Sequence, residues 1–403
     1  MEFLTTLYFI GLVLLALAFL LYRPLPPDIA DWHALAPFEI GARISLVYMG
    51  DVVEFFFGPL ARIYMARKLM ELSFFLPTYP PEGIKIQRML IRGVNCRVYF
   101  PKEQRTRGLF IYCHGGGWAL GKARFMDTVI FSLIRRLGCV VVAPDYKLAP
   151  EHPYPGPNND YEALIKGIYE EYHKELNIDK DRIIIAGDSA GGHLTAAICQ
   201  RLVKQNKINY VKAQILIYPV THVFAFHLPS FDEYREKMNG TGLLNPQYMA
   251  RFILYYLGLS AHSENVKKLI NCEHIHEELE NDPKYQSFIG REALPYHRQD
   301  RYIDKYHRVD PQLAEIFLSL GTDPDVSPIF GISENLPPTM VLTAEYDILK
   351  DEGAQYARRV SESGVHTVWK HYPTAYHGVL NMIGSPVRRQ MIRDIAEFTR
   401  DYI

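Results

Sequence analysis

The chain has 403 residues, 48% of them hydrophobic and 22% charged, proportions that exclude disorder, collagen and coiled coil as its main character. Lysine and arginine number 44 against 45 aspartates and glutamates, so the net charge of −1 leaves no electrostatic footprint for nucleic acid. Five cysteines (Cys96, Cys113, Cys139, Cys199, Cys272) are too few and too scattered for a disulfide scaffold, and no Cys-x-x-Cys pair supports a zinc ribbon.

Residues 3–22 carry no charge and are mostly Leu, Phe, Ala and Ile. At 1.5 Å per helical residue, twenty of them match the roughly 30 Å of a bilayer's hydrocarbon. The run is too long for the core of a cleaved signal peptide, and no Lys or Arg precedes it. Residues 1–22 are therefore expected to be a membrane anchor, ended by Pro24, Pro26 and Pro27. Arg23, the only nearby basic residue, weakly favours a cytosolic body by the positive-inside rule. Asn239-Gly240-Thr241 is the one glycosylation triplet and matters only if the body is lumenal. Within residues 23–80, positions 36–76 show helical spacing of apolar residues, among them Phe38, Ile44, Tyr48, Val52, Phe55 and Phe56. They are expected to form one or two amphipathic helices, packed on the body or touching lipid.

From residue 83 strands and helices alternate. The pattern predicts strands at 84–91 and 94–100, joined in a hairpin by Arg92-Gly93, and at 108–113, 139–143, 182–187, 213–218, 339–344 and 366–372. Helices are predicted over 126–137, 158–176, 190–203 and 351–363, with a last one opening at Ser385-Pro386. Eight strands separated by helices imply an α/β fold with a mostly parallel sheet covered on both faces. Residues 221–310 break the rhythm and read as an inserted, largely helical cap between core parts 81–220 and 311–403.

Gly187-Asp188-Ser189-Ala190-Gly191-Gly192 has the form Gly-x-Ser-x-Gly between a strand and a helix, the context of a nucleophile elbow. Upstream, His114-Gly115-Gly116-Gly117-Trp118 exposes backbone N–H groups after a strand. Acyl transfer needs such donors for its oxyanion; Gly115 and Gly116 are expected to supply two and Ala190 a third. A phosphate cradle fits poorly, since no Gly-Lys-Ser/Thr follows. His114 reads as a loop-orienting residue. The acid and base should follow the serine in the chain. Asp347 lies beyond the strand at 339–344, with Glu345 and Asp351 as rivals, the latter resembling a helix cap; His377 follows the last strand, and His371 reads as structural. Asp347 would orient His377, and His377 would take the Ser189 proton. This chemistry calls for no cofactor. Cys272-Glu273-His274-Ile275-His276 suggests a metal site only weakly, and a solvated cap surface is the expected alternative. The apolar residues Phe55, Phe56, Phe57 and Leu60, with the cap aromatics Phe224, Phe226, Phe231, Tyr248, Phe252, Tyr255 and Tyr256, are expected to make a greasy rim over Ser189.

These motifs together resemble the hormone-sensitive lipase branch of the α/β-hydrolase superfamily. A further mark is Asp145-Tyr146-Lys147-Leu148-Ala149-Pro150-Glu151, with Lys147 where the branch usually carries Arg. Tyr22-Arg23-Pro24-Leu25-Pro26, Ile217-Tyr218-Pro219, Leu228-Pro229-Ser230 and Tyr346-Asp347-Ile348-Leu349-Lys350-Asp351 narrow the resemblance to the arylacetamide deacetylase and neutral cholesterol ester hydrolase family. The resemblance implies a single-pass type II protein of the endoplasmic reticulum membrane, its body lumenal, that hydrolyses carboxylic esters and amides of apolar acids. It also implies Ser189, Asp347 and His377 as the triad, and Gly115, Gly116 and Ala190 as the oxyanion hole. Arylacetamide deacetylase has cysteines where this chain has Ala119 and Ala344, as expected of a bridge that is lacking here. A non-catalytic ligand-binding protein on the same scaffold is the rival reading.

Overall fold

A computed structural model describes residues 23–74, 78–238, 240–296 and 308–403, with a few isolated positions before residue 12. The expected anchor falls almost wholly outside the described residues, and so does Asn239. Among the described residues no helix is long and apolar enough to cross a membrane.

The chain opens with helices α1 (Trp32–Ala42), α2 (Met49–Phe57) and α3 (Pro59–Ser73). Strands β1 (Ile84–Ile91) and β2 (Val94–Pro101) follow as the expected hairpin. Its two-residue turn works because Arg92 and Gly93 both take positive φ, 45° and 82°. Next come β3 (Leu109–Cys113), helix α4 (Asp127–Leu137), β4 (Val140–Asp145), α5 (Gly156–Gly167), β5 (Ile183–Asp188), α6 (Ala190–Lys204) and β6 (Ala213–Ile217). Between β6 and the next strand lie α7 (Pro229–Lys237), α8 (Pro246–Tyr256), α9 (Ser263–Ile270), α10 (Glu277–Asn281), α11 (Pro283–Ile289) and α12 (Pro311–Gly321). The chain closes with β7 (Thr339–Tyr346), α13 (Lys350–Glu362), β8 (Thr367–Tyr376) and α14 (Pro386–Arg400).

The eight strands form one sheet in the order β1-β2-β4-β3-β5-β6-β7-β8, parallel from β4 to β8 and antiparallel at the β1–β2–β4 edge. Every residue of β3, β5 and β6 is buried, which explains their unbroken apolar runs: both faces are covered. Helix α4 packs with α14, while α5 packs with α6, and Gln200 of α6 reaches Tyr356 of α13.

Three boundaries differ from the sequence reading in ways that matter to the site. Helix α5 stops at Gly167 and the chain continues as a π-turn over Ile168–Tyr172. Strand β7 runs on to Tyr346, with a register shift between Ala344 and Tyr346, so Glu345 lies within the strand. Strand β8 runs to Tyr376, which sets His377 directly at its carboxyl end. Asp351 is not a cap: Leu349 holds that position, and buried Asp351 accepts hydrogen bonds from Ser230 N–H at 2.7 Å and from the Tyr296 hydroxyl.

Candidate active site

Strand β5 ends at Asp188 and α6 begins at Ala190, so Ser189 alone makes the turn. Its backbone sits at φ 54°, ψ −122°, a costly conformation for any residue but glycine. The turn is held by the Ser189 N–H donating to Ile217 O at 2.9 Å. Glycine is required on both sides. A Cβ on Gly187 would overlap the Gly191 backbone, and one on Gly191 would overlap the Cys113 carbonyl. The side chain thus projects at the carboxyl edge of the sheet, at the positive end of α6.

His377 meets Ser189 there, its Nε2 lying 3.0 Å from Ser189 Oγ. On the other side of the ring Nδ1 lies 2.8 Å from Asp347 Oδ2. Asp347 is buried, and its Oδ1 accepts from Leu349 N–H at 2.9 Å, which fixes the carboxylate plane. The two rival acids are engaged elsewhere. Glu345 pairs with His371 at 3.1 Å and with Lys350 at 3.2 Å. Burial raises its carboxyl pKa, but these two partners outweigh that and hold it at about 2. Asp351 binds the first turn of α7 through Ser230 N–H.

The glycine loop departs from expectation at one residue. The Gly115 N–H donates to Asp188 Oδ1 at 3.0 Å, so it is taken and does not face the site as a free donor. The N–H groups of Gly116, Gly117 and Ala190 have no protein acceptor among the described residues. Gly117 was not among the expected donors. The signal that singles it out is Asp188: a buried carboxylate at a strand end must find donors, and it finds Gly115 N–H and the Tyr112 hydroxyl, the latter at 2.9 Å. Burial raises the Asp188 pKa. His114 is buried, stacked on Tyr146 with ring centres 4.5 Å apart, with Nδ1 2.7 Å from Gly115 O. Burial lowers its pKa, as suits a neutral ring that shapes the loop. Trp118 donates from Nε1 to His193 Nδ1 at 3.1 Å and stacks on Tyr256 of α8, which joins the loop to the cap. Burial lowers the His193 pKa to about 4, keeping the ring neutral and able to accept.

Above Ser189 and His377 lies a cavity of about 400 Å³. Its walls are mostly apolar, with Ile63, Ala66 and Met70 from α3 and Phe252 from α8 beside Tyr248 and Tyr255, while Arg62, Lys122 and Arg251 also border it. The expected rim is therefore only partly present. Phe224, Phe226 and Phe231 are buried away from the cavity wall, Phe224 against Phe317 and Phe330, and Tyr256 packs behind Trp118. Phe55, Phe56, Phe57 and Leu60 lie outside the cavity wall and are exposed.

The Cys272–His276 stretch is not the solvated surface expected of it. Cys272 and His274 are buried, and His274 lies among Phe224, Phe226 and Phe317. His276 caps α10 by accepting from Glu278 N–H. No group of three His, Cys, Asp or Glu placed to hold a metal occurs among the described residues.

A serine at a strained strand-to-helix turn, topped by a glycine loop and a cavity, defines the class: a hydrolase built on the α/β sheet. The protein family described as "alpha/beta hydrolase fold" matches residues 110–314 and 292–381. Arylacetamide deacetylase of Rattus norvegicus is 29% identical over 401 residues, covering 95% of this chain and 96% of its own. Arylacetamide deacetylase-like 3 of Homo sapiens is 30% identical over 299 residues, covering 72% and 70%. Neutral cholesterol ester hydrolase 1 of Mus musculus is 28% identical over 394 residues, covering 91% of each. Among solved structures, a hyperthermophilic esterase from the archaeon Pyrobaculum calidifontis is similar, with a TM-score of 0.59 and 27% identity over 84% of this chain and 93% of that one. The chain belongs to the α/β-hydrolase family and, within it, to the group of arylacetamide deacetylases and neutral cholesterol ester hydrolase. Its class is that of the serine carboxylic-ester hydrolases.

Proposed function

We propose that this hydrolase cleaves carboxylic esters, and amides, of lipophilic acids through an acyl-enzyme on Ser189. His377 Nε2 accepts the Ser189 proton as Oγ bonds to the carbonyl carbon, and Asp347 accepts the Nδ1–H and steadies the imidazolium. The carbonyl electron pair moves onto oxygen, where the N–H groups of Gly116, Gly117 and Ala190 receive it. The tetrahedral intermediate collapses, the alcohol or amine leaves with the proton from His377, and water repeats the sequence to release the acid. The observation that carries this reading is the continuous line from Ser189 Oγ through the His377 ring to Asp347, at 3.0 and 2.8 Å, at the floor of an apolar cavity. Ser189→Ala should lower the turnover of a soluble aryl acetate by about 10⁴-fold or more. A variant with near-parent turnover would place the nucleophile elsewhere.

Residues 3–22 are proposed to hold the chain to the endoplasmic reticulum membrane with its body lumenal. Twenty uncharged residues and the Asn239 triplet support this against the single vote of Arg23. Endoglycosidase should shift the protein's mobility, and Asn239→Gln should remove the shift. An unglycosylated chain, digested by protease in sealed microsomes, would reverse the topology.

A further inference from the structure

Helices α2 and α3 form a hairpin whose tip is apolar and exposed, with charged Asp51 and Lys68 farther along its outer surface. Phe55, Phe56 and Phe57 are 83%, 68% and 76% exposed at its tip, where Gly58 turns the chain at φ 82° and Pro59 starts α3. Val52 and Leu60 extend the patch on either side. Soluble monomers seldom leave such contiguous apolar surface in water. The phenyl rings are held outward by polar ties on the inner side. Arg62 binds Asp51 and Glu54. Arg251 of α8 also binds Glu54, at 2.9 Å, and the Tyr255 hydroxyl donates to Pro59 O at 2.7 Å. Ile63 and Met70 of the same α3 line the catalytic cavity, and so does Phe38 of α1, which is itself 61% exposed. The cavity thus reaches the surface at Phe38, on the helical cover that carries the patch.

What covers the patch is indicated by the chain before it. Leu25 and Ile29 are already buried in the body, and Ala30 N–H donates to Thr374 O at 2.8 Å. From residue 22, where the uncharged run ends, to Leu25 is three residues, at most about 10 Å of chain. The body is therefore held close against whatever residues 3–22 enter. The face it presents is the helical cover. A Cβ on Gly240 would come within 3.2 Å of Arg23 Nε, and two residues on, Gly242 N–H donates to Glu39 of α1 at 2.8 Å.

We infer that the hairpin tip, from Phe55 to Leu60, dips into the interfacial layer of a phospholipid bilayer, and that ester substrates dissolved there pass by Phe38 into the cavity. This rests on the membrane attachment proposed above and deepens it by naming the route of the substrate. Aromatic and aliphatic side chains at such a tip suit the boundary between headgroups and acyl chains.

The test uses the full chain reconstituted in phosphatidylcholine vesicles whose acyl chains carry bromine at known depths. In Phe56→Trp the added fluorescence should be quenched at least twofold by shallow bromines, while Leu90→Trp, at another exposed position, on β1, should be unaffected. Unquenched fluorescence at position 56 would overturn the inference. In a second arm, Phe55→Ser/Phe56→Ser/Phe57→Ser should hydrolyse a long-chain ester in the vesicles about tenfold more slowly while keeping its rate on a water-soluble acetate. Equal losses on both would also overturn it. So would a detergent-solubilised dimer dissolved by the triple substitution, with no quenching at position 56, since the patch would then pair two copies. A parent chain that fails to hydrolyse the acetate would sink the esterase reading instead, and the quenching arm would still decide the bilayer contact.

Discussion

Asp188 never touches the substrate in this account, yet the geometry of the oxyanion donors depends on it. Its Oδ1 accepts from Gly115 N–H and the Tyr112 hydroxyl, and so draws the glycine loop onto the serine turn. Asp188→Ala would leave the buried Tyr112 hydroxyl and the half-buried Gly115 N–H without this acceptor, at about 1–3 kcal/mol for the buried one. The expected outcome is a lower melting temperature. kcat should also fall by about ten- to a hundredfold with KM little changed, less than when a donor to the oxyanion is itself removed. Asp188→Asn keeps the Oδ1 acceptor and removes the charge that burial penalises. It should stay near parent on both measurements. An Asn variant as damaged as Ala would mean that the charge, not the hydrogen bonds, positions the loop. Motif, chain order and strand-end position are local properties, so the sequence could single out Ser189, His377 and Asp347, which the fold brings into one hydrogen-bonded line. That Gly115 N–H is taken was not legible, because it depends on which N–H a residue on a neighbouring strand claims.

At the scale of elements, α13 joins Asp347 to the cap. Lys350 binds Glu233 of α7 at 2.7 Å, Asp351 holds Ser230, and Glu352 accepts from Thr221 N–H at 2.8 Å and His222 N–H at 3.1 Å. Three consecutive residues just after Asp347 thus dock the segment leaving β6. Glu352 Oε1 is buried without a partner, and burial raises this carboxyl from an ordinary 4.5 to about 8. Its folded pKa lies above its unfolded one. The stability it contributes is therefore fully present below about pH 4.5 and lost as pH rises through about 8, because the unfolded chain ionises first. Glu352→Gln keeps the acceptor and cannot ionise. The melting temperature of this variant minus that of the parent should grow steadily from pH 5 to pH 8.5. A difference independent of pH would show that the carboxyl is ionised in the folded protein. Alternating strand and helix patterns revealed these elements, but the ends of β7 and β8 were set by pairing across the sheet and by the register shift at Ala344 and Tyr346. No local pattern carries that information. The cap was read only as helical, since its aromatic residues divide between the buried core and the cavity wall according to tertiary packing.

At the scale of the molecule, the sheet presents Ser189, His377 and Asp347 at one edge, and two separate parts of the chain roof them: the amino-terminal helices and the cap. The roof sets the substrate. A cavity of about 400 Å³ walled by Ile63, Ala66, Met70 and Phe252 should reward each methylene that an acyl chain buries by about 0.8 kcal/mol, near fourfold in kcat/KM. A series of p-nitrophenyl esters from acetate to octanoate should therefore climb in kcat/KM, and Met70→Trp should flatten the climb while sparing acetate. A flat series in the parent would mean that acyl groups do not enter this cavity. The kinetic outcomes presuppose that Ser189 is the nucleophile, activated by His377. The most direct measurement of that is peptide mapping of the full chain after reaction with a fluorophosphonate. The account predicts one adduct, on the peptide containing Ser189, formed far more slowly in His377→Ala. An adduct on another serine, or labelling at the parent rate without His377, would contradict it.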